Sequence, residues 1–130
     1  MLKRNLIASA AFALSLSAAP FAIAGPTGHG HSAAGTMAEI LTGLNHYPSD
    51  GEKATLNKIA ADSHATANEK AIAKAIVNLN HSVAAGDKDK LMAITKDAAA
   101  SATDKDLASI LLSLNHKPSD ADKAKLKMIK

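Results

Sequence analysis

The tripeptide Leu-Asn-His occurs three times in this chain at a spacing of 35 residues. It stands at positions 44–46, 79–81 and 114–116. The similarity extends further, because residues 38–60 match residues 108–130 at 13 of 23 aligned positions and residues 73–95 at 8. A repeat of this length with Pro or Gly near its middle is typical of helix-turn-helix units that bury their apolar faces on one another. The repeat therefore predicts an all-α fold of three tandem helical hairpins, with about six helices.

Seven positions of the repeat carry the same residue in all three copies. Four of them are apolar and predict core contacts, and the other three are Asn, His and Lys. The seven sets are Ala38/Ala73/Ala108, Leu44/Leu79/Leu114, Asn45/Asn80/Asn115, His46/His81/His116, Lys53/Lys88/Lys123, Leu56/Leu91/Leu126 and Ile59/Ile94/Ile129. The recurring His and Lys are therefore the first candidates for a functional role.

The first helix of each unit shows the apolar spacing of an amphipathic helix, as in Met37, Ile40, Leu41 and Leu44. Three Ser/Thr-x-x-Glu sequences, which begin at Thr36, Ser49 and Thr66, predict helix starts with capping boxes. The predicted helices lie near 37–46, 50–64, 67–81, 86–99, 104–116 and 120–130. They form one domain over residues 36–130, with units near 36–65, 66–100 and 101–130. The sequence does not choose between a short solenoid and a compact bundle.

The first 24 residues resemble an export signal, with two basic residues, an apolar stretch and Ala-Ile-Ala before Gly25. The expected location is the periplasm or the medium, and the remaining chain has no apolar run long enough to span a membrane. Without Lys3 and Arg4, 13 basic residues face 12 acidic ones, so the formal charge falls from +3 to +1. Residues 25–35, which are rich in Gly and His, are expected to form a flexible tail.

Composition excludes several function classes. The chain has no Cys, which removes thiolate metal sites, thiol nucleophiles, disulfides and covalently attached c-type haem. After signal removal it keeps one aromatic ring, Tyr47, and no Arg, so nucleic-acid binding is not expected. No phosphate-binding loop, nucleophile elbow or His-Glu-x-x-His sequence is present, and the chain is predicted not to be an enzyme.

The histidines of the repeat have two interpretations. Asn-His after an amphipathic helix is typical of helix C-caps, where Asn adopts the left-handed conformation and His meets the free carbonyls. Alternatively, neutral imidazoles bind Zn, Cu or Ni. In an open solenoid the first and third copies lie two steps apart, so His46, His81 and His116 meet only if the repeat closes on itself. The sequence therefore favours capping. Under the metal interpretation, the favoured site is at His29 and His31, with help from the repeat histidines.

The repeated lysines, Lys53, Lys88 and Lys123, lie in a first helical turn, where the helix dipole disfavours a cation. They are either copied solvated residues or a surface for an acidic partner. The leading hypothesis is an exported, soluble, non-catalytic helical-repeat protein that binds or scaffolds an unidentified protein of the cell envelope. The alternative is a small periplasmic protein that binds or buffers a transition metal through histidines. The sequence predicts no oligomeric state.

Overall fold

A computed structural model describes residues 32–130 of the chain. The predicted signal, most of the predicted tail, His29 and His31 lie outside the described residues. The described part is all-α, as predicted, and no β-strand occurs between Ser32 and Lys130. Its six helices are α1 (Ala33–Gly43), α2 (Asp50–Ala61), α3 (Ala67–Val77), α4 (Ala85–Lys96), α5 (Ala102–Ser113) and α6 (Asp120–Leu126).

Two of the three predicted helix starts are confirmed. Ser49 and Thr66 each accept a hydrogen bond from the backbone of a Glu three residues later, whose carboxylate accepts one in return. The start at Thr36 is wrong, because the Ser32 side chain accepts from Gly35 N and caps α1 instead. Residues 33–35, which the sequence placed in the tail, therefore form the first turn of α1.

The helices that precede the Leu-Asn-His triplets end earlier than predicted. α1, α3 and α5 stop at Gly43, Val77 and Ser113. The cause is visible in α1 and α5, where the following Leu44 and Leu114 have extended backbones, with ψ of 130° and 129°. The triplets are thus short non-helical links between a helix that ends and a helix that begins.

The helices contact one another both within and between the predicted units. The most extensive contacts join α2 with α3 and α4 with α5, while α1 with α2, α3 with α4 and α5 with α6 are also in contact, as is α1 with α6. The α1 and α6 pair joins the two ends of the described chain. Ser32 Oγ donates to Lys130 O at 2.6 Å, and a Cβ on Gly35 would stand only 2.6 Å from Lys130 C. The three repeats therefore close into a compact bundle rather than an open solenoid.

The core lies along α1, α3 and α5, which contact one another. Fully buried side chains from all three fill it, and α2, α4 and α6 cover it with Leu56, Leu91 and Leu126. The central residues are Met37, Leu41, Ile72, Ile76, Leu107 and Leu111. Each such side chain contributes about 1.5–3 kcal/mol through burial. The invariant apolar positions of the repeat are thereby explained by packing, since all four belong to this core or pack against it.

Candidate metal centre

The three Leu-Asn-His triplets meet at one end of the bundle through a closed ring of backbone hydrogen bonds. His46 N donates to His116 O at 2.9 Å, His116 N donates to His81 O at 2.7 Å, and His81 N donates to His46 O at 3.2 Å. Each repeat thus binds the next one, and the third binds the first. This end of the molecule, formed by residues 44–49, 79–84 and 114–119, is called the histidine end below.

The same three histidines have left-handed backbones. Their φ angles are 80° at His46, 65° at His81 and 68° at His116, and no other non-glycine residue between positions 32 and 130 has a positive φ. A residue with a Cβ pays about 1–2 kcal/mol for this conformation, whereas glycine adopts it freely. Strained backbones of this kind concentrate at functional sites. The repeated choice of His over Gly therefore points to a use for the imidazole.

The imidazoles stand beside one another at the surface. Their ring centroids are 5.3 Å apart for His46 and His81, 5.4 Å for His46 and His116, and 4.8 Å for His81 and His116. One nitrogen from each ring lies within 4.8 Å of the other two, and the group lies at the surface, with His81 and His116 exposed and His46 half-buried. Tetrahedral zinc with bonds of about 2.1 Å needs nitrogens roughly 3.4 Å apart, so the three side chains would have to move closer together to bind one ion. The group could hold a metal ion.

The sequence favoured separate positions for the three histidines, because the first and third copies of an open solenoid do not meet. The contact between α1 and α6 shows that the fold is not an open solenoid. The assignment of the left-handed backbone to Asn is also wrong, because His has it in every copy. The free end of α1 is capped by the extended residue Leu44, whose N–H donates to Leu41 O. The backbone N–H of each His serves the ring of hydrogen bonds rather than a helix end.

In the third copy, Asn115 orients the imidazole of His116. Asn115 Oδ1 lies 2.7 Å from His116 Nδ1, which is a hydrogen bond when Nδ1 carries the proton. Such a bond leaves Nε2 unprotonated and free to bind a metal, and a partner of this kind is usual for metal-binding histidines. Asn45 and Asn80 hold the equivalent positions in the other copies. The repeated Asn is visible in the sequence, but a hydrogen bond between it and the imidazole was not predicted.

The repeated lysines lie near the histidine end. Each stands four residues beyond the N-cap of an outer helix that begins directly after a triplet. Lys53 Nζ lies 5.8 Å from the centre of the Tyr47 ring, which adjoins His46. Within the described residues the one ion pair joins Lys90 to Asp87, so Lys53, Lys88 and Lys123 have no carboxylate within 4.0 Å there.

Two further candidate ligands, His29 and His31, lie outside the described residues. The others that the structure describes are not part of this group. His64 is exposed in the link between α2 and α3, at the other end of α2. Met37, a conceivable ligand for cuprous ion, is fully buried in the core.

Two buried carboxylates were not singled out by the sequence. Asp87 Oδ2 accepts a hydrogen bond from Asn78 Nδ2 at 2.9 Å. Asp104 lies in the first turn of α5, where burial raises its pKa above the ordinary 3.8 and the nearby Glu69 adds to the rise. Hydrogen bonds from Ser101 and Asn68 oppose this shift. Both carboxylates occupy the third residue of a helix, a position that could have drawn attention to them.

Comparison of the chain with protein-family models, with curated proteins and with solved structures gave no match. Among the described helices, none has both the length and the apolar character needed to cross a membrane. The geometry of the histidine end is therefore the main guide to function.

Proposed function

We propose that this protein binds a transition metal in the cell envelope through His46, His81 and His116. The observation that supports the proposal most is the closed ring of backbone bonds, which brings one strained histidine from each repeat to a single exposed point. Imidazole nitrogens suit Zn²⁺, Cu²⁺ and Ni²⁺ and are poor ligands for Ca²⁺ or Mg²⁺. Export to the envelope is the further part of the proposal, and it rests on the signal-like first 24 residues.

The scaffold hypothesis becomes the second choice. It relied on the concave face or free edge that an open solenoid presents to a partner. The helices that would form the two edges, α1 and α6, contact each other in this fold. A protein partner is therefore better sought at the histidine end than at a solenoid edge.

The exposure of the three imidazoles suits reversible binding rather than a structural metal. Structural zinc sites are closed by four protein ligands, whereas three ligands leave at least one position to solvent. The core is filled by fully buried side chains drawn from all three repeats, so we expect the protein to fold without the ion. Because the metal joins three repeats, its binding should raise the stability of the fold by about 2.7 kcal/mol at a hundredfold excess over Kd.

Calorimetric titration of the purified protein with Zn²⁺, Cu²⁺ and Ni²⁺, in the presence of a competing chelator, tests the proposal. We expect one ion per chain and a Kd in the micromolar range or below for the wild type and for the control variants H64A and H29A/H31A. The triple variant H46A/H81A/H116A should lose this binding. Binding that persists in the triple variant and disappears in H29A/H31A would place the metal on the N-terminal histidines instead.

A further inference from the structure

The polar residues that recur in all three repeats gather at one end of the molecule. The four invariant apolar positions belong to the core. The invariant His form the candidate metal centre, Asn115 bonds to one of them, and the invariant Lys is the fourth residue of each outer helix. The metal accounts for His and Asn but not for Lys, since an ammonium group repels a cation. A second ligand of opposite charge would account for the lysines.

The position of these lysines is specific. Lys53 lies three residues before the fully buried Leu56, so the two share a helix face, and the same spacing joins Lys88 to Leu91. Lys53 and Lys123 are themselves half-buried. The helix dipole disfavours a cation in the first helical turn, as at Lys53 and Lys88, whereas Lys123 also lies in the last turn of the short helix α6. Two half-buried lysines and one exposed lysine thus recur at the same position of the three outer helices.

The neighbouring carboxylates are already engaged. Glu52 Oε2 accepts from Ser49 N at 2.7 Å, and Asp122 Oδ2 accepts from Ser119 Oγ at 2.7 Å. In the second copy, Asp87 bonds to Asn78 and faces Lys90 at 3.8 Å. The repeated lysines, which have no carboxylate within 4.0 Å in the described part of the chain, are therefore available to a ligand from outside.

We propose that the metal at the histidine end takes a carboxylate or another small oxyanion as its remaining ligand, and that Lys53, Lys88 and Lys123 attract and hold this anion. The inference rests on the proposed function, because the metal supplies the central bond. Three imidazoles leave a coordination position toward solvent, and an ion bound there adds positive charge to that of the lysines. Lysine suits this task as a flexible point charge, in a protein whose exported part has no Arg.

The test uses protein loaded with Co²⁺, whose visible spectrum responds to the ligand that completes the coordination. Acetate, inorganic phosphate and a glutamate-rich peptide serve as probes. We expect each effective probe to change the spectrum of the wild type, with an affinity that falls as salt is added. The variant K53Q/K88Q/K123Q should bind Co²⁺ at least as tightly but bind the probe about tenfold more weakly, since exposed ion pairs each contribute little.

The control is K58Q/K96Q/K127Q, which removes the same charge. Lys58 and Lys96 lie in the last turns of α2 and α4, and Lys127 is the C-cap of α6, one turn beyond Lys123. This variant should keep most of the anion affinity. The single variant K88Q, at an exposed site, gives a smaller loss of about two- to fourfold and serves if the triple variant does not fold. Strong preference for the peptide would identify an acidic protein as the source of the carboxylate, and equal response to acetate would identify a free anion.

The outcomes separate this inference from the proposed function. If Co²⁺ fails to bind, or binds equally to H46A/H81A/H116A, the proposed function itself is wrong. If Co²⁺ binds through the three histidines but no probe changes its spectrum, the anion inference is overturned and the metal proposal stands. Equal loss of anion affinity in the two triple lysine variants would also overturn it, because only net charge would then matter.

Discussion

The three copies of the repeat are alike at one end of the helices α1, α3 and α5 and differ at the other end. At the histidine end, the three copies carry the same Asn and His and the same strained backbone. At the opposite end, hereafter the closure end, the equivalent positions hold Ala34, Glu69 and Asp104. There the first repeat meets Lys130, the second forms a capping box, and the third buries a carboxylate. The three copies are therefore alike at the end where their backbones bond to one another, and they differ at the closure end.

Replacing all three histidines by Ala is expected to have the largest effect, and it should act on metal affinity alone. Loss of a residue that orients a metal ligand costs 10- to 100-fold in affinity, so loss of the ligands themselves must cost more. The metal-free protein should keep its thermal stability within a few degrees, because the exposed imidazoles add little packing. Calorimetric titration and thermal unfolding measure the two effects. A large loss of metal-free stability would show that the histidines hold the fold together.

Replacing Gly35 by Ala tests the closure end, where we expect a change in the stability of the fold and not in metal affinity. The new Cβ would stand 2.6 Å from the backbone of Lys130, so the C-terminal residues that follow α6 must move away from α1. Overpacking of this kind costs about 1–3 kcal/mol, while metal affinity should stay unchanged. Denaturant unfolding gives the free energy of unfolding of the variant. Gly86→Ala is the control, since its Cβ meets nothing within 4 Å. Equal effects of the two substitutions would argue against a tight contact at the closure end.

Two substitutions at His81 separate the strain from the imidazole. Both His81→Gly and His81→Ala remove a metal ligand, but only Gly relieves the positive φ of 65°. We therefore expect the metal-free Gly variant to be more stable than the Ala variant by about 1 kcal/mol. Urea unfolding without metal measures the difference. If the Ala variant proves as stable as the Gly variant, the backbone at His81 carries no strain and the argument from strain fails.

Replacing Asp104 by Asn is expected to have the smallest effect, and it depends on pH. Because burial raises the pKa of Asp104, the folded protein holds this proton more tightly than the unfolded chain does. Ionisation therefore costs stability as the pH rises from 3.8 through the higher folded pKa. D104N should be more stable than the wild type at neutral pH, and the advantage should shrink toward pH 4. Thermal unfolding over this range measures it, with the exposed Asp89→Asn as control; an advantage independent of pH would contradict the assignment.

The local structure could be predicted from the sequence, and the closure could not. Apolar spacing and the Ser49 and Thr66 capping boxes depend on neighbours in the chain, and both predictions are confirmed. The pairing of α1 with α6 joins residues nearly 100 positions apart, for which the repeat gives no signal. Because that pairing could not be predicted, the close approach of the three histidines could not be predicted either. Their left-handed backbones were missed as well, because Asn and Gly are the usual residues at such positions.

X-ray absorption spectroscopy of the zinc-loaded protein tests the central claim most directly, because it reads the ligands of the ion itself. The account predicts three imidazole nitrogens at about 2.0–2.1 Å and an oxygen donor in the remaining position. The same measurement on H46A/H81A/H116A should show that this set of ligands is lost. A zinc ion with one or two imidazoles in the wild type, or an unchanged spectrum in the triple variant, would contradict a metal centre built by the three repeats.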